Sequence, residues 1–577
     1  MWGCAQDGTA PIGAEMADAW GLADSTPGTP NQPPLLVHRV VTALVVLGVA
    51  MRVVRYAMRF PLWGDEAALA ANFLDRGFVE LLGPLQFQQV CPPLFLWIEL
   101  AIVRLAGYNE YTLRAFPLLC GVASVLLFRH LAGRLLGGVP LVMAVGIFSV
   151  SYYPLRHAAE VKPYASDLLA SLVLLAVAIA AGQPAPPDAD SFRSRQSTRL
   201  VRNLIALAVL APVSLALSHP AVFVAGGVAV ALLPTVWRCG TWRVWLAFLI
   251  FALATIAAFA GLYWFLLRPQ FAGTLQEGVM QVYWDRAFPP LGDAMELVRW
   301  LATVHTGQMF AYPLGGAGSG SGAVTFLLVA VCVVYWCRRG DWRLLLFCLA
   351  PFALTMAAAA MRRYPYGGFA RTAQHVAPVI CLMSGVGLAR LVSRLRNSAV
   401  RRCVVGGAIA CLAVLGVGQA GRDIMRPYRT EHDRDVREFA QRFWTTAAAD
   451  AELACAYTDL KQGFFRTTYL WRGIAQYLCN QRIYSPPGRV SGRPPRWGAV
   501  SERRPLRCVV FSRPGLSRDQ QAFDDWLRAM QQRFRLARVD RFDFDKPHDH
   551  GPPDRERIEV YEFFAPRADT PAIPLAN

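Results

Sequence analysis

The stretch Phe60-Pro61-Leu62-Trp63-Gly64-Asp65-Glu66-Ala67 sets two adjacent carboxylates directly after the first long apolar run of the chain. Ionisable groups at the mouth of a hydrophobic span are costly to place, so the pair calls for a reason. One reason is local. Asp65 behind Gly64 has the chemistry of a helix N-cap, and Glu66 in the next turn is favoured by the helix dipole. The other is catalytic: a partly buried carboxylate can take a proton from a hydroxyl. Later connections supply groups that would complement such a base. Arg114, Lys162 and Arg371 can hold an oxyanion, the arginines in a two-pronged grip, and His157, Tyr164 and His375 lie in the same stretches. Lys162 is the only lysine between residues 35 and 420 and stands between Glu160 and Pro163. Plainer readings exist for several of these. Arg114 can snorkel to headgroups, Glu160 and Lys162 can form an ordinary surface pair, and Gly367-Gly368 can be only a turn.

Which of these groups can meet depends on the spans that carry them. Of the 577 residues, 54% are hydrophobic and 17% charged, and apolar runs of membrane-spanning length recur along the chain. The formal charge of +18 comes almost wholly from arginines scattered between those runs, which suits loops and headgroups rather than one nucleic-acid-binding face. Twelve apolar segments stand out, near 35–58, 93–106, 112–135, 139–155, 165–182, 203–218, 221–237, 244–267, 323–337, 343–360, 376–392 and 402–420. From residue 112 onward, basic short loops fall at every second connection (Arg129/Arg134, Arg193 to Arg202, Arg238/Arg243, Arg338/Arg339, Arg394 to Arg402). That places them on the cytoplasmic side and the carboxylates, with the chain after 420, on the other. The fourteen residues of 93–106 reach only about 21 Å as a helix, short of a hydrocarbon core of about 30 Å. We therefore expect eleven spans, with 93–106 a juxtamembrane helix on the outer face. Arg52, Arg55 and Arg59 run against this scheme, because by charge alone they would turn the first span the other way; the alternative is twelve spans with the amino terminus outside.

The fold expected is an all-α polytopic membrane protein with a small α/β extracytoplasmic carboxyl-terminal domain. Residues 1–34 lack Lys and Arg and read as a disordered tail, 35–420 as the transmembrane domain, and 421–577 as the soluble part. In the last, helices are expected over Glu431–Thr446 and Ala522–Phe534. Strands are expected near Leu453–Tyr457, Arg507–Phe511 and Ile558–Phe563, with a long basic loop from Gln481 to Arg507. Cys455, Cys479 and Cys508 could include one disulfide in an oxidising compartment. No cysteine or histidine spacing marks a metal site. No cofactor is expected, although Glu66 could orient an acceptor or bind a divalent cation. The scarcity of lysine beside arginine suggests a GC-rich bacterial genome and hence the inner membrane.

The order of motifs resembles a known family. A first span, Trp63-Gly64-Asp65-Glu66-Ala67, Pro93-Leu94-Phe95-Leu96-Trp97, and then Tyr111-Thr112-Leu113-Arg114-Ala115-Phe116-Pro117 opening the next span are similar to membrane glycosyltransferases of the GT-C class. The branch is that of protein O-mannosyltransferases and bacterial lipid A aminoarabinose transferases. Tyr152 to Arg156, Lys162-Pro163-Tyr164, and Tyr364 to Arg371 resemble its later outer loops. The resemblance covers about residues 35–420. It implies a polyprenyl-phosphate-linked sugar as donor, an acceptor hydroxyl on lipid, protein or polysaccharide, and an active-site acid at Asp65. The family's arginine at the opening of the following span falls on Arg114. Such a donor has a good leaving group; it needs a base for the incoming hydroxyl and cations for the departing phosphate. Direct attack at C1 would invert the anomeric centre. The chain departs from the aminoarabinose enzymes at Cys91-Pro92-Pro93, where they carry a lysine, and at Lys162, where they carry an acid, so their sugar is not carried over. A transporter or lipid-linked-sugar flippase could also use intramembrane Asp, Arg and Lys, but would more often show two related halves.

Overall fold

The computed structural model describes residues 35–182, 192–272, 284–446, 451–455, 472–485, 500–512, 520–546 and 554–565. The expected tail 1–34 and most of the expected 481–507 loop lie outside them. Each of the twelve apolar segments is helical: α1 (Leu35–Ala57), α3 (Pro93–Ala106), α4 (Thr112–Leu135), α5 (Gly138–Val150), α7 (Tyr164–Gly182), α8 (Phe192–Leu217), α9 (Ala221–Cys239), α10 (Trp242–Leu262), α12 (Ser321–Arg339), α13 (Trp342–Ala360), α14 (Ala377–Ser393) and α15 (Ser398–Met425). Between them lie the short α2 (Gly64–Ala70) and α6 (Tyr152–His157), and α11 (Ala294–Thr306). Among the described residues ten helices are long and apolar enough to cross a membrane.

The helix α5, at 13 residues, is shorter, yet it also traverses the bundle. Near the start of α4, Arg114 meets Glu66, and Val161, beyond α5 and α6, meets Glu66 again. The chain that leaves this end along α4 must therefore return along α5. The helix α3 does not traverse: Gln89 before it bonds Lys162, and Tyr108 after it bonds Cys479, so both of its ends stay at the Asp65 end. Eleven traverses result, and the basic loops of α4–α5, α9–α10, α12–α13 and α14–α15 all fall at the opposite end.

The first-span arginines that opposed this scheme are engaged inside the protein. Arg52 is fully buried and donates to the carbonyls of Gly48 and Ser149 at 2.7 and 3.0 Å. Arg55 is paired with Asp423 at 2.8 Å and lies over Phe60. Arg59 is paired with Glu110 at 2.7 Å and lies over Tyr111. Cations held by protein partners are not free to choose a headgroup layer, so they weigh little in the charge rule.

The central helix α5 is buried along nearly its whole length. Small residues let its neighbours approach, as in other membrane bundles. A Cβ on Gly385 of α14 would lie 2.5 Å from the Ala144 nitrogen, and one on Gly48 of α1 would lie 2.8 Å from the Ser149 Cβ. Phe128 and Phe148 stack with centroids 4.1 Å apart.

After α15 the chain forms an α/β unit. Its four-stranded sheet has the order β1 (Glu452–Cys455), β2 (Leu506–Ser512), β4 (Asp554–Phe564), β3 (Arg535–Lys546), with β1 and β2 parallel and the other pairs antiparallel. Strand alternation splits the faces. Cys508, Val510, Tyr561 and Phe563 meet Phe523, Trp526 and Met530 of α18 (Gln520–Arg533). Val509, Ile558 and Val560 meet Val436, Ala440 and Trp444 of α16 (Glu431–Thr446). Two elements go beyond the sequence expectation: β3, and α17 (Arg472–Tyr484), whose last residues fall at the start of the expected 481–507 loop. The disulfide left open for this unit is not formed by Cys479 or Cys508, both of which are buried free thiols.

Candidate active site

The short α2 separates the fates of the two carboxylates. It starts two residues earlier than an Asp65 cap would require: Trp63 takes the cap position, Asp65 and Glu66 lie in the first turn, and Glu66 Oε2 reaches back to the Trp63 amide at 3.5 Å. Capping thus falls to Glu66, as the acid of a capping box. Glu66 is also sealed, being 1% exposed. Its Oε1 accepts from Arg114 Nε and from the Val161 amide, both at 2.9 Å, and its Oε2 accepts from Arg114 Nη2 at 2.7 Å. Arg114 donates in addition to the carbonyl of Phe60 at 2.5 Å. The structure therefore brings Arg114 to the acidic pair, but against Glu66 inside the protein and not toward a ligand. With both oxygens taken, Glu66 is poorly placed to hold an acceptor or a divalent ion. Among the described residues no three His, Cys, Asp or Glu side chains converge as metal ligands.

Asp65 stands in the opposite condition. Its side chain is 15% exposed and forms an ion pair with Arg371, 14% exposed. Arg371 comes from the short helical turn Ala370–Val376 before α14, and its guanidinium lies over Trp284 and Phe369, 5.2 and 5.0 Å from their centroids. Two glycines set this loop. Gly367 and Gly368 have φ of +69° and +67°, and a Cβ on Gly367 would meet Val304 at 2.1 Å. They form a turn packed on α11, a conformation open to glycine alone at such close approach.

Of the other expected site residues, His157 and Tyr164 lie within electrostatic reach of Arg371. Lys162 is buried and bonds Gln89 Oε1. His157 is buried, with Nδ1 2.7 Å from Glu160 Oε2, and its ring packs on Tyr164 with centroids 4.7 Å apart. Burial pulls the His157 pKa below its usual value against the pull of Glu160. Burial acts to raise the Glu160 carboxyl, but Arg156 and His157 hold it well below the ordinary range. Tyr164 is within electrostatic reach of both Asp65 and Arg371. His375 is turned away: its Nε2 is 3.0 Å from Thr355 Oγ1, and its ring packs near Phe223 and Tyr364.

Residues not anticipated come from the α/β unit. Gln476 Nε2 donates to the Leu62 carbonyl at 2.8 Å, and Cys479 Sγ lies 3.5 Å from the Ala67 carbonyl. Tyr484 donates to Glu110 at 2.6 Å, and Arg437 donates to the Arg59 carbonyl. Arg429, in the link between α15 and α16, lies 3.6 Å from the Trp63 ring centroid. The acidic loop is thus gripped from both sides. Only Trp63 offered a signal in the sequence, as an aromatic beside the acids.

No family model and no curated protein matches the chain. Among solved structures it is similar to ArnT from Cupriavidus metallidurans in the apo state, at 12% identity and a TM-score of 0.48, covering 90% of this chain and 98% of that one. It is similar also to the same protein bound to undecaprenyl phosphate, at 12% identity and a TM-score of 0.47, over 90% and 97% of the two chains. A third similar structure is the archaeal oligosaccharyltransferase AglB from Archaeoglobus fulgidus in complex with an inhibitory peptide and a dolichol-phosphate. Its identity is 12% and its TM-score 0.40, over 82% of this chain and 69% of that one.

Proposed function

We propose that this protein is an integral membrane glycosyltransferase that moves a sugar from a polyprenyl-phosphate carrier to an acceptor hydroxyl, with inversion at C1. The observation that carries the reading is the half-open Asp65–Arg371 pair, set among Lys162, His157 and Tyr164 at one end of the bundle while Glu66 beside it is closed off. Asp65 takes the proton of the acceptor hydroxyl as that oxygen attacks C1 and the C1–O bond to the phosphate breaks. Arg371 loses its counter-charge when Asp65 is protonated, at the moment the leaving phosphate gains one, so a single guanidinium can serve both. Arg114 acts behind the site, fixing Glu66 and through it the turn that carries Asp65. The crowding of basic loops at the far end supports an extracytoplasmic site, and the arginine-rich composition supports a bacterial inner membrane.

The test supplies membranes holding the protein with radiolabelled polyprenyl-phosphate sugars, one at a time. One of them should be consumed. Asp65→Asn should cut the rate by about 10²–10⁴-fold, the range for loss of a general base, without lowering the protein level. Failure to consume any donor, or full activity in Asp65→Asn, overturns the reading.

A further inference from the structure

The cations expected to meet a phosphate are, in this structure, nearly all held by the protein. Arg114 grips Glu66, Arg371 grips Asp65, Lys162 bonds Gln89, and Arg156 bonds Glu160. Arg429 differs. It is exposed, and among the described residues no carboxylate or carbonyl accepts a hydrogen bond from its guanidinium. It lies over Trp63, two residues before Asp65, and the Arg156 guanidinium lies over the same ring at 5.5 Å. The two arginines are within electrostatic reach of each other, and the carboxylates that act on Arg429 are Glu160 and Asp433. Neither is free. Glu160 is shared by Arg156 and His157, and Asp433 accepts from Gln476 and Thr430. The Trp63 Nε1–H, buried beside them, has no acceptor. Two like charges, one of them unpaired, and an indole N–H without an acceptor make a place that favours a ligand carrying oxygen acceptors and negative charge.

We propose that Arg429, from the link into the carboxyl-terminal unit, contacts the phosphate of the lipid-linked donor at the Trp63 edge of the site. The contact rests on the glycosyltransferase reading and adds to it a role for the region after the last span: it supplies a donor-binding cation from outside the bundle. Arg371 acts on the acid side, while Arg429 and Arg156 frame the phosphate from the other loop. An arginine here can offer two parallel N–H groups to a phosphodiester, which a lysine cannot.

The test compares purified wild type, Arg429→Ala and Arg429→Lys in detergent, with a sugar-free polyprenyl phosphate and the matching neutral polyprenol as probes. Arg429→Ala should bind the phosphate about 10- to 100-fold more weakly, as expected for loss of a charge-assisted contact, with Arg429→Lys between the two. The neutral polyprenol should not distinguish the three proteins. In turnover, KM for the donor should rise at least tenfold with kcat within about threefold, and KM for the acceptor should hold. Thermal unfolding monitors the fold, since Arg429 leaves no buried partner behind. Binding of polyprenyl phosphate by Arg429→Ala within twofold of wild type overturns the proposal. A shift in acceptor KM alone assigns the contact to an anionic acceptor and overturns it as stated. If wild type neither binds nor consumes any polyprenyl-phosphate compound, the functional reading falls with it. Normal wild-type turnover with an unchanged Arg429→Ala removes only the inference about Arg429.

Discussion

Glu66 and Asp65 are neighbours in the chain, and each is paired with an arginine, yet their surroundings are opposite. The Glu66 pocket is closed: Arg114 is 2% exposed, and both carboxylate oxygens have partners from three segments. The Asp65 pocket is open, and its arginine rests on the faces of two aromatic rings instead of inside the bundle. The difference shows how a costly pair of acids is tolerated beside a membrane. One acid is saturated and ties α2 to α4 and to the 161 loop; the other stays partly exposed in its pair with Arg371. Residue type says nothing about which is which. Burial does.

The largest effect separating the pockets should be on rate, in Asp65→Asn, as set out above. The next should be on stability. Removing one partner of the closed pair leaves a buried charge uncompensated, which costs about 3–5 kcal/mol. Glu66→Ala should therefore lower the folded yield and the unfolding temperature sharply, and a Glu66→Met/Arg114→Met double variant should recover part of the loss. If Glu66→Ala is as stable as wild type but inactive, the roles assigned to the two acids are interchanged.

A smaller effect is expected for Arg371. Arg371→Lys keeps a charge but loses the planar group that lies over Trp284 and Phe369 and can pair bidentately. Turnover should fall about 10- to 100-fold, the range of a lost charge-assisted contact, with little change in unfolding temperature because both partners are partly exposed. A stability loss as large as that of Glu66→Ala would show that the open pocket is as structural as the closed one.

Much of this arrangement was legible in the sequence. The apolar runs gave the helices, and the parity of the arginines gave eleven traverses. It also put Asp65, Arg114, Lys162 and Arg371 at one end. The partners were not legible. Whether Arg114 meets Glu66 or a ligand depends on the register of α2, and the sequence suggested a cap at Asp65 where the chain uses Trp63, a shift of two residues. The helix α17 was hard to see because buried polar residues interrupt its apolar positions: Gln476 and Asn480 are buried beside Ile474, Leu478 and Cys479, with Gln476 set against the backbone of the acidic loop, which blurs the periodic signal. Strand β3 was hidden by its alternating Arg and Asp residues, the charged pattern typical of an exposed edge. Its Phe542 and Phe544 nonetheless pack on Phe439 of α16.

The smallest effect concerns the contact that holds the carboxyl-terminal unit to the open pocket. Burial acts to raise the Glu110 carboxyl, but hydrogen bonds from Tyr484 and Arg59 prevail and hold it below its ordinary value of 4.5. A carboxylate with a lowered pKa in the docked state stabilises that state above the undocked value, and the contribution is lost as pH falls through the docked value. Tyr484→Phe removes one of the two donors. At neutral pH it should weaken docking by about 1 kcal/mol, at the low end for a hydrogen bond to a charged group because Tyr484 is partly exposed. Hydrogen exchange of the 472–485 amides should speed up by about fivefold, and the gap between variant and wild type should start to shrink below about pH 4.5 and close as pH falls through the lower docked value of Glu110. A gap that persists unchanged into acid would mean that the tyrosine acts by packing and that the grip of the carboxyl-terminal unit on the acidic loop does not run through Glu110.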